Sequence, residues 1–394
     1  MDFRSSKKHH AKALAIKALG LNGILIALAF SSLESVWPIY IHGLFPTSSQ
    51  VGFVTAALSI VALMGFAFMF PIFNKFSAKK VLFASVAANA IGIALFAFIQ
   101  NPLVFIMLAV VNTLFITLRQ QSFGILLRSN SSIKNINADE NQMYMLLNTG
   151  WVIGPLLAGF VADKLSVGAV MILSSLFLLL SVYSITMYSP VLEFKKQKEA
   201  KKVNPLKNIF YYFKSKKRVI SYILTSGLEL WWAIPYIFIP IEMIKQGLPL
   251  YHIGIFLFAL CIPSVLVERY MSKKSPKNLL KIMTLGYFIA FLCGLAAAIL
   301  IGNIYATLVC LVLASFGLGL LEPTAESQFF SVVSKEQATR YYGSFFTAKT
   351  VGGFVSKLGV GLVLLICPLY VAIFIISLLM LAFAIIAAKH HKKY

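Results

Sequence analysis

Long apolar runs alternate with short polar gaps along the chain of 394 residues. A helix rises 1.5 Å per residue, so about 20 apolar residues cross the ~30 Å hydrocarbon core of a bilayer. The runs are continuous and do not alternate in polarity, which favours helices over the strands of a membrane barrel. The pattern predicts twelve membrane-spanning helices. They cover residues 18–41, 51–73, 81–99, 103–127, 142–162, 166–188, 219–241, 252–271, 279–301, 304–328, 340–366 and 368–388.

The basic residues lie almost entirely on one side of the predicted membrane. With both termini on the same side, that side has 30 of the 35 Lys and Arg residues, whereas the opposite side has only Lys164 and Lys245. Cytoplasmic loops are enriched in Lys and Arg. We therefore expect a multi-pass protein of the cell membrane with both termini in the cytoplasm.

Composition supports this interpretation and excludes other classes. The chain is 59% hydrophobic and only 12% charged, whereas about a quarter of the residues of a soluble domain are charged. The net charge of +22 would suggest nucleic-acid binding in a soluble chain, but here it belongs to gaps between apolar runs, so no nucleic-acid partner is expected. The sequence has no P-loop motif, no metal-ligand spacing among its four cysteines and no evident nucleophile with a base. We expect neither an enzyme nor a metal or cofactor.

A basic linker divides the chain into similar halves. Residues 190–217 form the predicted cytoplasmic linker between six-helix bundles at 1–189 and 218–394. We interpret it as a solvated segment that skims the membrane near anionic lipid, with a regulatory role as the alternative. Residues 31–37 (SSLESVW) and 226–232 (SGLELWW) are identical at four of seven positions.

Further matches follow in the same order along the chain. Arg119 aligns with Glu322, and Gly154 aligns with Gly352. These matches indicate a duplicated six-helix unit. Parallel repeats of this kind are typical of transporters, whose substrate site lies where the halves meet. The predicted class is an all-α membrane protein of two pseudo-symmetric bundles.

Two motifs make the chain resemble the major facilitator superfamily over essentially its whole length. The segment GWVIGPLLAG at 150–159 resembles the G-x-x-x-G-P-x-x-G-G motif that is typical of the family's antiporters, and Ala158 is its only departure. The loop at 70–82 resembles the G-x-x-x-D-R-x-G-R-K signature, but Phe70, Asn74, Ser77 and Ala78 replace the usual Gly, Asp, Gly and Arg. The resemblance implies conformational roles for Asn74, Lys75, Lys79, Lys80, Gly150, Gly154, Pro155 and Gly159. By their chemistry alone, the glycines form a groove for tight helix packing. The family resemblance implies instead that this groove is a sliding surface between the halves. By their chemistry alone, the lysines are membrane anchors.

Ionisable residues inside the predicted spans are the strongest candidates for a site. Such residues are costly in a bilayer and usually face a cavity or a partner. Glu34, Arg119, Glu229 and Glu322 lie in spans one, four, seven and ten, which are the central, cavity-lining helices of the family that the chain resembles. With the nearby aromatic residues and a lysine of span eleven, they form the predicted substrate- and proton-binding set. Its members are Glu34, Arg119, Glu229, Glu322, Trp37, Tyr40, Trp231, Trp232 and Lys349.

Structural alternatives remain open for each of these residues. The glutamates could make structural hydrogen bonds, Arg119 could form a fixed ion pair with Glu322, and the aromatic rings could belong to an interfacial belt. Glu326 could be interfacial. Lys349 and Lys357 either pair with the acids of span ten or line the cavity.

The expected function is secondary transport. We expect a monomeric, proton-driven antiporter that exports small lipophilic or cationic compounds and uses the proton gradient as its energy source. Two embedded glutamates beside tryptophans suit a cation. A proton-coupled importer of a sugar or another nutrient is the main alternative, and a non-transporting membrane receptor is a remote one.

Overall fold

The computed structural model describes residues 3–69, 71–130, 136–188, 205–272 and 278–391. Within these ranges the regular structure is helical, and it contains no β-strand. The helices are α1 (Phe3–Leu44), α2 (Ser48–Phe68), α3 (Ile72–Lys75), α4 (Ala78–Phe96), α5 (Pro102–Asn130), α6 (Ile136–Lys164), α7 (Val167–Met187), α8 (Pro205–Phe213), α9 (Lys216–Ala233), α10 (Ile239–Lys245), α11 (Leu250–Ser272), α12 (Leu279–Ile299), α13 (Ile304–Ser331), α14 (Lys335–Val363) and α15 (Leu369–His391). A π-helical turn, Ile234–Phe238, joins α9 to α10.

Eleven helical segments of the described chain are long and apolar enough to cross a membrane. They coincide with eleven of the predicted spans, with ends that shift by a few residues. One such shift is at α2, which ends at Phe68 although the apolar run continues to Phe73. Pro71 explains this end, because a proline has no N–H with which to extend the helical hydrogen bonds. The predicted span eleven corresponds to α14, which has 29 residues but is more polar than the others, so its crossing stays a prediction.

The chain divides into two compact units. Unit 1 consists of Met1–Tyr40 and Val61–Ala200, and unit 2 consists of Ile41–Ile60 and Lys201–Tyr394. The change near residue 200 falls in the predicted linker, of which residues 190–204 lie outside the described chain. The last turn of α1 and the first half of α2 belong to unit 2.

The two units repeat the same helix packing. In unit 1, α4 packs against α5 and α7, and in unit 2, α12 packs against α13 and α15. Gly154 of α6 lies against Ser31 of α1, whereas Gly352 of α14 lies against the backbone of Ser226 on α9. These are the residues that the sequence repeat aligns. A glycine at the crossing lets two helix backbones approach closely, so the duplicated sequence builds the same helix crossing twice.

The crossing of α9 and α14 gives a direct stability prediction. A methyl group added at Gly352 would lie 3.0 Å from the carbonyl carbon of Ser226, whereas one added at Gly359 on the same helix meets nothing within 4 Å. Overpacking of this kind costs about 1–3 kcal/mol, so Gly352→Ala should lower the midpoint of thermal unfolding in detergent. Gly359→Ala is the matched control and should leave the midpoint unchanged or raise it, because alanine favours a helix more than glycine does. Equal midpoints for the two variants would contradict the close crossing.

Candidate functional site

In unit 1, a buried guanidinium lies beside an exposed carboxylate. Arg119 of α5 is only 8% exposed, and Glu34 of α1 is exposed and acts electrostatically on it. The guanidinium carbon of Arg119 lies 4.1 Å from the centre of the Phe30 ring. Phe30 is four residues before Glu34, so both lie on one face of α1. A ring and a carboxylate on the same face together stabilise the buried cation.

One hydrogen-bond donor of the Arg119 side chain has no acceptor in the described part of the chain. The donor is its Nε, which is buried. A guanidinium has five N–H donors in a planar fork and matches carboxylates and phosphates well. This donor is therefore available to a polar group that enters the site.

In unit 2, four embedded charges lie together. Glu229 of α9 is within electrostatic reach of Lys349, Glu322 and Lys357. Glu322 comes from α13, and both lysines come from α14. All four side chains are partly buried. Two carboxylates and two ammonium groups thus compensate each other inside one unit.

Lys357 connects this charge cluster to α2. Its Nζ donates to Ser59 Oγ at 3.1 Å. One turn further along α14, Gly361 accepts a hydrogen bond from Ser49 Oγ at 2.7 Å, and a methyl group added at Gly52 would lie 2.9 Å from Gly361 Cα. The first half of α2 therefore packs directly on α14, and Lys357 is the residue that both contacts α2 and acts on Glu229.

The repeat explains how the charge pattern of unit 2 differs from that of unit 1. Glu34 and Glu229 are equivalent, but the position of Arg119 is occupied by Glu322. At the offset that aligns Gly154 with Gly352, Lys349 and Lys357 align with Trp151 and Gly159. The second unit has thus replaced the cation of α5 by an acid on α13 and obtains its cations from α14.

The aromatic residues near Glu34 form a packed cluster within unit 1. Trp37 lies 5.0 Å from Phe96 and 5.6 Å from Phe105, measured between ring centres. Tyr40 lies 5.7 Å from Phe105, and its hydroxyl donates to Ile99 O at 2.9 Å. Trp37 and Tyr40 therefore hold the end of α1 against α4 and α5, which is a structural role.

The two tryptophans after Glu229 have different surroundings. Trp231 is fully buried, and its ring packs near Gly294 of α12, so it belongs to the core of unit 2. Its predicted role in binding stays a prediction. Trp232 is half-buried and lies edge-on to Tyr236, with ring centres 5.5 Å apart. Neighbouring residues of a helix point about 100° apart, which explains the different surroundings of the two tryptophans.

A π-helical turn begins five residues after Glu229. Pro235 and Pro240 each lack the N–H that an α-helix needs at their positions, and the N–H of Ile239 bonds to Ile234 O in the wider turn between them. Such turns occur frequently at functional sites. This irregular turn includes Tyr236, which the sequence places two helical turns after Glu229.

The glycine motif of α6 packs on α1 of its own unit. Ser31 Oγ donates to Gly150 O at 3.0 Å, and Ser32 Oγ donates to Gly154 O at 3.1 Å. Pro155 and Gly159 are buried in the same helix. The groove that the sequence analysis interpreted as a sliding surface between halves is thus occupied by α1 along Gly150 and Gly154. The motif fixes the part of α1 that leads directly to Glu34.

The loop motif between α2 and α4 is described only in part. Phe70 and the side chain of Asn74 lie outside the described residues. Lys75 and Lys80 are exposed and Lys79 is half-buried, as the anchor interpretation expects. Ser77 caps α4 by accepting the N–H of Lys80 at 3.4 Å. A role of this loop in conformational change stays a prediction.

Two further observations concern the remaining predicted chemistry. The Tyr342 hydroxyl donates to Glu326 Oε1 at 3.3 Å, so Glu326 has a tyrosine partner on α14 and is not part of the four-charge cluster. Across the described residues, no three His, Cys, Asp or Glu side chains lie together as a metal site would require.

Comparison with known proteins supports the architecture. Residues 19–356 match the sequence model of the Major Facilitator Superfamily. The chain belongs to this superfamily. A comparison with curated protein sequences found no match.

Solved structures of superfamily-like transporters share the fold at low sequence identity. A crystal structure of a POT family transporter in complex with a thioalcohol-conjugated peptide has a TM-score of 0.77 at 10% identity, and the match covers 96% of both chains. The nucleoside transporter NupG has a TM-score of 0.74 at 16% identity, covering 96% of this chain and 99% of that one. Its membership of the superfamily makes the chain a multi-pass membrane transporter and not an enzyme.

Membership of the superfamily gives the embedded charges a context. Glu34, Arg119, Glu229 and Glu322 lie on α1, α5, α9 and α13, which correspond to the four cavity-lining helices implied by the superfamily resemblance. For Lys357 the sequence analysis left two roles open, and it assigned no role to Ser59 or Phe30. Lys357 is visible in the sequence as a charge within a span. Nothing in the sequence marks Ser59 as the partner of Lys357 or Phe30 as the partner of Arg119.

The four-charge cluster predicts a measurable coupling between Lys357 and Glu229. Lys357→Met removes one of two cations beside two carboxylates and should lower the midpoint of thermal unfolding, because it leaves negative charge uncompensated. Adding Glu229→Gln should restore part of the loss, with a coupling of about 0.5–3 kcal/mol. Lys164→Gln is the control: its side chain is 78% exposed beside Asp163, and we expect no change. Strictly additive effects of Lys357→Met and Glu229→Gln would show that the two charges do not interact.

Proposed function

We propose that this transporter is a proton-coupled antiporter of the cell membrane that exports small lipophilic or cationic compounds. The observation that supports it best is the four-charge cluster around Glu229. Proton coupling requires an acid whose proton affinity differs between two conformations. The proton affinity of Glu229 depends on Lys349, Lys357 and Glu322, which belong to two other helices. Any movement of α13 or α14 relative to α9 therefore changes how tightly Glu229 holds a proton.

Glu34 is proposed as the second acid that binds protons or substrate. Its carboxylate is exposed although it lies within a membrane span, so an incoming cation can reach it. Arg119 competes for this carboxylate from a buried position. A cationic substrate would weaken that interaction, and a proton would have the same effect, so the two can exchange at one site. Trp232 and Tyr236 are the aromatic residues near Glu229 that keep exposed surface, and they would contact a flat apolar substrate.

Antiport, export and orientation rest on the sequence. The glycine motif at 150–159 resembles that of superfamily antiporters, and the basic residues favour cytoplasmic termini. The proton gradient would supply the energy, without a cofactor, and a monomer would suffice.

A proton-coupled importer of a small polar nutrient is the second candidate. Three embedded cations, Arg119, Lys349 and Lys357, could bind an anionic or zwitterionic substrate. The solved structures with the same fold include a POT family transporter in complex with 5-aminolevulinic acid and a nucleoside transporter. The two candidates differ in the sign of the substrate charge and in the direction of proton movement.

A two-step experiment distinguishes the candidates. Thermal unfolding of the purified protein is first screened against cationic dyes, peptides, nucleosides and sugars, because a compound that binds the folded state raises its midpoint. Each compound that does so is then added to vesicles with a preformed pH gradient, acid inside. An antiporter dissipates the gradient, because protons leave as the compound enters. A symporter does not, because the compound would have to leave the vesicle together with the protons.

Neutral variants of the two acids test the assignment of residues. Glu34→Gln and Glu229→Gln should each abolish the pH response to the compound while the protein still folds. Glu242→Gln is the matched control, since this glutamate of α10 accepts a hydrogen bond from Gln246 at an exposed position, and its response should match that of the wild type. Full gradient-coupled transport by the Glu34→Gln/Glu229→Gln double variant would contradict the mechanism.

A further inference from the structure

The short helix α8 is anchored to unit 2 by one buried tyrosine. Tyr212 is fully buried in a cluster with Phe329 of α13 and with Tyr341 and Phe345 of α14. Its ring is stacked on Phe329 at 6.5 Å and lies edge-on to Tyr341 at 5.9 Å. This end of the linker therefore packs on the end of α13 and the start of α14.

Arg218 closes the turn between α8 and α9. Its Nε donates to Tyr212 O at 3.0 Å, and its Nη2 donates to Tyr211 O at 2.8 Å. The Tyr212 hydroxyl donates back to Arg218 O at 3.0 Å. Burial raises the pKa of Tyr212, so its phenol stays protonated and remains a donor at neutral pH. Arg218 also lies 4.5 Å from the centre of the Tyr341 ring, which adds a cation–π contact to the anchor.

The opposite face of α8 is exposed, aromatic and basic. Phe210 is 65% exposed and Phe213 is 42% exposed. Lys214, Lys216 and Lys217 are exposed just after them, and Lys214 Nζ lies 4.9 Å from the Phe210 ring. Residues 205–222 contain no Asp or Glu. This surface, which we call the α8 face, is formed by the end of α8, the turn after it and the start of α9. It consists of Phe210, Phe213, Lys214, Lys216 and Lys217.

We propose that the α8 face binds anionic lipid headgroups of the cytoplasmic leaflet. Lys216 is the first residue of a candidate membrane span, so the face lies at the membrane boundary on the predicted cytoplasmic side. Exposed aromatic rings favour the headgroup region, and clustered lysines attract anionic lipids. Aromatic rings beside clustered lysines are typical of a surface that lies at the membrane interface. Charge complementarity thus selects an anionic lipid as the occupant.

Binding at this face also restrains the transport helices. Tyr212 holds α8 against α13 and α14, and these helices contain Glu322, Lys349 and Lys357. A lipid that fixes α8 therefore limits movement of these helix ends. The lipid site does not depend on whether the protein is an antiporter or an importer.

A lipid titration tests the site without a transport substrate. The full-length protein is purified in neutral detergent, and its thermal unfolding midpoint is measured with added phosphatidylglycerol or phosphatidylcholine. We expect phosphatidylglycerol to raise the midpoint more than phosphatidylcholine does, because a ligand of the folded state stabilises it. The difference should shrink at high salt, and soluble glycerol phosphate should not reproduce it.

Charge-removal variants locate the site. Lys214→Gln/Lys216→Gln/Lys217→Gln should lose most of the difference between the two lipids. Lys164→Gln, which removes an exposed lysine on the predicted opposite side of the membrane, is the control and should retain it. Should the triple variant not fold, Lys214→Gln and Lys217→Gln singly should each lose part of the effect. An equal phosphatidylglycerol effect in the wild type and in the folded variants, or no effect in the wild type, would overturn the proposal.

Discussion

The energetic cost of a charge in hydrocarbon is the constraint on which the rest of this structure depends. A charged side chain near the centre of a bilayer costs several kcal/mol unless a partner or a water-filled cavity compensates it. In unit 1, Glu34 and Phe30 stabilise the Arg119 guanidinium. In unit 2, Glu229 and Glu322 lie with Lys349 and Lys357. Each unit thus compensates its own embedded charges. A proton or a charged substrate that neutralises one member changes that balance, and this is how the proposed coupling would work.

The duplicated helix packing places these charges. Gly154 against Ser31 and Gly352 against Ser226 fix α1 on α6 and α9 on α14, and the glutamates follow three residues after the serines. Because the framework is the same in both units, the position of each acid is the same, and divergence is confined to the partners. Unit 1 uses one arginine from α5, whereas unit 2 uses two lysines from α14. Lys357 in addition contacts Ser59 of α2. In unit 2, one of the compensating cations therefore also joins α14 to α2, and this contact has no counterpart in the sequence repeat.

Features that depend on local sequence were predictable, and features that depend on helix rotation were not. The spans follow from the length of apolar runs, and the two glycine crossings follow from residues that the repeat aligns. The early end of α2 before Pro71 was readable from the proline but was missed. The burial of Trp231 in the core of unit 2 could not be predicted, because the direction of a side chain around a helix is set by its neighbours. The contact between Lys357 and Ser59 joins residues 298 positions apart, which no spacing in the sequence indicates. The burial of Tyr212, which anchors α8, likewise depends on α13 and α14.

Infrared difference spectroscopy of the purified protein tests the central claim most directly. Spectra recorded at acidic and at neutral pH reveal carboxyl groups that bind protons inside the protein. If the embedded glutamates are the proton-binding groups, the wild type shows a protonated-carboxyl band that is reduced in Glu34→Gln and in Glu229→Gln and is unchanged in Glu242→Gln. A band that persists at full intensity in the Glu34→Gln/Glu229→Gln double variant would contradict the account.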